Sequence, residues 1–156
     1  MNEDFFTFSE YIKKNNAQLT PSMEDYLEMI FRLSKDTGFT RIHDLSDTLH
    51  VQPPSVTRMI QKLAELDLVN YEKYGVVRLT ELGSKQGSIL LKRHAIIETF
   101  LKFLGITESL LEETEKIEHT ISKETLVSIV SFISFLQDNP DISKKYEVYR
   151  NSRDAT

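Results

Sequence analysis

Glu115, Glu118 and His119 stand at i, i+3 and i+4, a spacing that on a helix turns two carboxylates and an imidazole to one face. Such a set can ligate a divalent cation. With Glu112 and Glu113 beside it, it also suits a solvated acidic face. Asp25 and Glu28, three apart, share a face of an earlier helix, where acids near the N-terminus also favour the macrodipole without any further role. His94 falls four residues after Leu90 and three before Ile97, on an apolar stripe. An imidazole there is either a packed, hydrogen-bonded core residue or an inward-facing ligand. The sequence contains no Cys, which removes disulfides, thiolate zinc sites and cysteine nucleophiles and leaves any metal chemistry to His and carboxylates. Clusters of this kind also serve metal-dependent hydrolases. The sequence has no H-E-x-x-H pattern, nucleophile elbow or phosphate loop, so an enzyme is not expected.

Helices must position these groups. Residues 1–19 form an N-terminal extension in which Phe5, Phe6, Phe8, Tyr11 and Ile12 suit either a short amphipathic helix or an arm. Thr20 or Ser22 caps the first core helix, Pro21 suits its first turn, and Tyr26, Met29, Ile30 and Leu33 recur until Thr37-Gly38 ends it. A short helix from about Arg41 to Leu49 turns Ile42, Leu45 and Leu49 inward. After a turn at His50 to Pro53, a second helix buries Val56, Met59 or Ile60, Leu63 and Leu66. Two short helices joined by a tight turn, the second polar and positive outside, make a helix-turn-helix. Val69 to Lys73 and Val76 to Thr80, separated by Tyr74-Gly75, read as a β-hairpin, and a hairpin in that place is a wing.

A long helix then runs from Glu81 to about Leu104, with Leu90, Ile97, Leu101 and Leu104 on one side, Gly83 and Gly87 weakening its first turns and Gly105 closing it. Further helices span Thr107 or Ser109 to His119, Ser122 to Leu136, and Asp141 to about Arg150, the last two parted by Asn139-Pro140. Leu126 to Leu136 is apolar on nearly all sides, which calls for burial all round: either a subunit interface or a central core helix. The expected fold is mainly α, a winged helix-turn-helix over residues 20–80 followed by a helical dimerisation domain over 81–150 and a tail, 151–156.

The net charge of −5 speaks at first against nucleic acid, but it is unevenly spread. Residues 1–40 carry −3, residues 41–93 carry +2 and residues 94–156 carry −4, so only the helix-turn-helix and wing region is basic. No apolar run approaches a membrane span and the acidic start is no export signal, so a cytoplasmic protein without membrane attachment is expected.

Together, Pro21 to Glu28, the run Pro53 to Leu63, Tyr71-Glu72-Lys73-Tyr74, Arg93-His94 and Glu115 to His119 resemble the manganese transport regulators of the diphtheria toxin repressor family. The likeness covers about residues 20 to 140 in consistent order. It implies a metal-responsive homodimeric repressor of metal-uptake genes, with a palindromic double-stranded DNA operator as partner and no small organic substrate. It also implies that Asp25, Glu28, His94, Glu115, Glu118 and His119 ligate divalent metal, as a site for two Mn²⁺ ions per subunit, with Fe²⁺, Zn²⁺ or Cd²⁺ as competitors. The iron-sensing branch of that family has Met where this chain has Asp25, and Cys where it has Glu115; hard oxygen donors at both places favour manganese. The chain departs from iron-type members in stopping without an SH3-like domain, and from the usual start in residues 1–19. The alternatives are an iron- or zinc-responsive regulator on the same scaffold, and a winged-helix regulator that senses no metal.

On this reading Ser55, Thr57, Arg58 and Lys62 meet the major groove or flanking phosphates, Gln52 lies at the turn, and Lys73 and Tyr74 lie in the wing near the backbone. Arg58 can pair bidentately with guanine or contact phosphate. Four carboxylates gathered with two imidazoles would carry about −4 without metal, a repulsion that divalent ions would cancel.

Overall fold

The computed structural model describes residues 19 to 154; of the arm or helix expected for residues 1–19, all but Leu19 lies outside them. Its elements are α1 (Pro21–Ser34), β1 (Thr40–Arg41), α2 (Ile42–Leu49), α3 (Pro53–Glu65), β2 (Val69–Tyr71), β3 (Val76–Leu79), α4 (Glu81–Leu104), α5 (Leu110–Glu118), α6 (Lys123–Asp138) and α7 (Pro140–Asp154). Contacts divide the described chain into two compact units, one ending at Leu91 and the other beginning at Lys92. The division falls within α4.

In the first unit, Thr20 Oγ1 accepts the backbone N–H of Met23 at 3.3 Å and Pro21 follows at the first helical position, where its missing N–H costs nothing. The apolar stripe this sets up places Leu27 and Ile30 in a fully buried core with Leu45 of α2 and Val56, Ile60 and Leu63 of α3. The turn between α2 and α3 is closed from both sides. Ser46 Oγ donates to the carbonyl of Val51 at 2.6 Å and Val51 N–H returns to the carbonyl of Ser46 at 3.1 Å. His50 turns the chain there in the left-handed region, at φ 54°.

The wing is more than a hairpin. β3 pairs antiparallel with β2 (Val69 opposite Leu79, Tyr71 opposite Val77) and, on its other edge, with β1 (Thr40 opposite Val77). β1 was not expected, because a two-residue strand has no alternation to read. The tip Lys73–Gly75 is a single 3₁₀ turn in which Tyr74 and Gly75 both take left-handed backbone, φ 62° and 72°. Leu66 is a second correction: at 46% exposed it caps α3 outside the core, where the helix has ended and the apolar stripe no longer applies.

In the second unit Ser122 Oγ accepts Thr125 N–H at 3.1 Å to start α6. Leu126, Val130, Ile133 and Leu136 are buried, as are Ile96, Ile97 and Leu101 of α4, and Phe100 meets Phe132 edge-on at 6.2 Å. Burial of α6 is therefore one-sided within the chain, with Phe132 and Phe135 about half exposed. Leu104, expected inward, is 39% exposed at the end of α4. α7 continues to Asp154, so residues 151–154 of the expected tail are helical. Among the described residues no helix is long and apolar enough to cross a membrane.

Candidate metal centre and DNA-binding face

The second unit brings three of the six expected ligands together. Glu118, the last residue of α5, is 3% exposed. One of its oxygens, Oε2, lies 2.8 Å from His94 Nδ1, and the other, Oε1, lies 3.6 Å from His119 Nε2. The side chains of His94 and His119 are 13% and 16% exposed, so the cluster is largely shielded from water. A carboxylate taken this far out of water needs compensation by positive charge or by strong hydrogen bonds. Here its oxygens face two imidazoles, which compensate as cations when protonated or as neutral nitrogen ligands to a shared metal ion. A buried donor set of two nitrogens and carboxylate oxygens fits a divalent first-row cation and has none of the soft sulfur that copper(I) or iron–sulfur chemistry would call for.

The acidic residues of α5 sort into two groups. Lys116 reaches Glu112 at 2.6 Å and Glu113 at 3.4 Å. The ammonium holds the Glu112 carboxyl below its ordinary range, while the paired carboxylates raise Lys116. Those two acids make a solvated ion-pair face. Glu115 stands apart from both groups: it is exposed, and no hydrogen bond or ion pair ties it to His94, Glu118 or His119 among the described residues.

In the first unit Asp25 and Glu28 lie on α1, Asp25 exposed and Glu28 only 9% exposed. Arg32, one turn on, holds Glu28 Oε1 through Nη2 at 2.7 Å and Nε at 3.2 Å. The sequence reading missed Arg32, although its i+4 spacing from Glu28 was the signal. It fixes the carboxylate's direction and balances its charge.

On the DNA-binding side, Ser55, Arg58 and Lys62 are exposed on α3, as is Gln52 immediately before it. Thr57 is half-buried, its hydroxyl donating to the Pro53 carbonyl at 3.1 Å. The N-terminus of α3 offers little backbone to a phosphate. Pro53 and Pro54 have no N–H, and the N–H groups of Ser55 and Val56 already go to the Gln52 carbonyl, at 2.9 and 3.2 Å. Contacts from this helix therefore fall to side chains. Lys73 and Tyr74 project at the wing tip, Tyr74 90% exposed.

Two family models match this pair of units. Residues 18–77 match the iron dependent repressor N-terminal DNA binding domain, and residues 80–147 match the iron dependent repressor metal binding and dimerisation domain. The chain belongs to the iron-dependent repressor family. Members of this family are transcriptional regulators rather than enzymes, which removes the hydrolase reading. The HTH-type transcriptional regulator MntR of Listeria monocytogenes is 38% identical over 138 residues, covering 88% of this chain and 97% of the relative. Among solved structures, the manganese regulator SloR superposes with a TM-score of 0.64 at 33% identity over 75% of this chain. ScaR with bound Zn²⁺ gives a TM-score of 0.63 at 34% identity over 72%. The chain spans only about half the length of those two, 55% and 54%. As an iron-dependent repressor, the chain thus has a DNA-binding half and a half that binds divalent metal and dimerises.

Proposed function

We propose that this iron-dependent repressor homologue is a manganese-responsive repressor of metal-uptake genes, acting in the cytoplasm as a homodimer on a palindromic operator. The observation that carries the metal half is Glu118, a buried carboxylate flanked by His94 and His119. Asp25 and Glu28 would complete the site from α1, with Glu115 supplying a further oxygen, enough donors for two ions per subunit. The likeness to the manganese regulator SloR supports manganese, as does the oxygen chemistry of Asp25 and Glu115.

When bound, divalent ions would supply positive charge to the carboxylates that ligate them, of which Glu28 already has the guanidinium of Arg32 beside it. Asp25 and Glu28 belong to the DNA-binding unit, and His94, Glu118 and His119 to the other, so sharing ligands would give the two units one mutual position. A dimer then presents its two α3 helices at one spacing, matched to half-sites about one turn of DNA apart, roughly 34 Å, or a multiple of it. Without that restraint, affinity falls by the fraction of dimers in the competent arrangement. In this arrangement Arg58 and Lys62, with Gln52 and Ser55, meet the groove and its phosphates, and Lys73 and Tyr74 meet the backbone. Thr57 contributes less, its hydroxyl being engaged.

The test is fluorescence anisotropy on a palindromic duplex selected from a random library, titrated with Mn²⁺, Fe²⁺, Zn²⁺ or Cd²⁺ against chelator. Mn²⁺ is expected to tighten binding at least tenfold, a coupling of about 1.4 kcal/mol, and Asp25→Ala to remove most of that gain. A response equal in the wild-type and Asp25→Ala proteins would take Asp25 out of the site. A response to Fe²⁺ or Zn²⁺ but not Mn²⁺ would transfer the reading to an iron or zinc sensor, and none to any metal would leave a plain winged-helix regulator.

A further inference from the structure

We infer that Arg41, at the junction of β1 and α2, is a DNA-phosphate contact that acts as part of the wing. Its Nη1 donates to the carbonyl of Tyr74 at 3.3 Å, across a sequence separation of 33 residues. Tyr74 is the tip of the wing, and Gly75 beside it packs against Ile42, the first residue of α2. The start of the helix-turn-helix and the wing tip are therefore one surface, and whatever the wing approaches, Arg41 approaches with it.

The electrostatics of this surface run against the rest of the chain. Within a protein of net charge −5, Arg41, Lys73 and Arg78 gather around the wing with Glu72. Glu72 is taken by Arg78, whose Nε lies 3.1 Å from Oε1. Arg41 is exposed and has no carboxylate partner among the described residues. An exposed, uncompensated guanidinium beside an aromatic tip is what a polyanion recognises.

The side chain is also held in place. Its guanidinium carbon sits 5.8 Å from the centroid of the Phe39 ring, and that of Arg78 sits 5.1 Å from the same ring. Stacking on Phe39 and the bond to Tyr74 order Arg41 before DNA arrives, so less side-chain freedom is lost on binding. A guanidinium has further N–H donors beyond the one on Tyr74, enough for a phosphate oxygen. Phosphate contacts set register and orientation and read no sequence. Arg41 would thus fix how the wing seats on the backbone, while α3 reads the groove.

The inference rests on the winged unit binding DNA, and the test keeps the two separable. Full-length wild-type, Arg41→Gln and Arg41→Lys proteins with saturating Mn²⁺ are titrated over a KCl series onto two probes, the library-selected duplex and an unrelated duplex of equal length. For Arg41→Gln the slope of log affinity against log salt is expected to fall by about 2, from about 0.9 per phosphate and one Arg41 per protomer. The affinity loss should be of similar factor on both duplexes, and Arg41→Lys should keep the wild-type slope. An unchanged slope in Arg41→Gln, even with weaker binding, overturns the inference and leaves Arg41 as a brace for the wing. Failure of the wild type to bind either duplex would overturn the DNA-binding premise instead.

Discussion

The Glu118→Gln protein is expected to fold and to lose manganese-dependent DNA binding. Glutamine keeps the shape of the side chain and can still hydrogen-bond to His94 and His119, so packing at this 3%-exposed position is preserved. What is lost is the anionic oxygen placed between two imidazoles. Since removing only an outer partner of a metal ligand costs about 10- to 100-fold in affinity, losing the central ligand should cost at least about 100-fold. Two readouts check this. The Mn²⁺ concentration for half-maximal operator binding should rise by that factor or beyond reach. The thermal stabilisation by Mn²⁺, about 2.7 kcal/mol at a hundredfold excess over the dissociation constant, should vanish while the metal-free unfolding midpoint stays near that of the wild type. A normal Mn²⁺ response would make the Glu118 cluster a structural hydrogen-bond network.

A second large effect is expected from Gly83→Ala, of opposite sign to what helix propensity suggests. In an ordinary helix the change gains up to about 1 kcal/mol. Here a Cβ on Gly83 would stand 1.8 Å from the carbonyl oxygen of Leu68 and 2.8 Å from its carbon. These are backbone atoms in a tightly bonded corner. Thr80 N–H donates to that same carbonyl, and Thr80 Oγ1 donates to the Asp67 carbonyl while accepting Gly83 N–H. The start of α4 cannot move away without breaking the junction with the wing, so the loss should be at least about 3 kcal/mol, the upper end for overpacking. At Gly87 an added Cβ would stand 2.8 Å from Phe31 Cβ, which moves only with the backbone of α1, against 1.8 Å at Gly83; the shallower overlap means that Gly87→Ala should cost less. Urea unfolding of the two variants gives the comparison. A Gly83→Ala protein as stable as wild type would contradict this close approach of α4 to the Asp67–Leu68 turn.

Gly83 also shows where the sequence could be read and where it could not. It looked like a weakness in a long helix, because propensity is local and the Leu68 carbonyl is fifteen positions away in the chain. The same divide runs through the fold. α1, α3 and α6 were legible from Thr20-Pro21, Pro53-Pro54 and Ser122, residues that act on their own helix termini. β1 was invisible, being two residues whose strand character comes only from pairing with β3. Arg41 went unnoticed for the same reason, since its partners Phe39 and Tyr74 assemble through that sheet. In the site, the helix that carries Glu115, Glu118 and His119 was readable, although the structure leaves Glu115 exposed and apart from the other two. That His94 would meet Glu118 at 2.8 Å was not, because it depends on how α4 and α5 pack. Periodicity also overstated burial on α6, where Phe132 and Phe135 remain half exposed within the chain.

On the proposed function, metal and operator bind to one coupled arrangement of the two units. Coupling of this kind is reciprocal. The most direct measurement is therefore the Mn²⁺ affinity of the full-length protein, by calorimetry, alone and saturated with the library-selected palindromic duplex. The duplex is expected to tighten Mn²⁺ binding so that the affinity gains, multiplied over all the ions of a dimer, equal the factor, at least tenfold, by which Mn²⁺ tightens the duplex. Equal Mn²⁺ affinity with and without the duplex would contradict it.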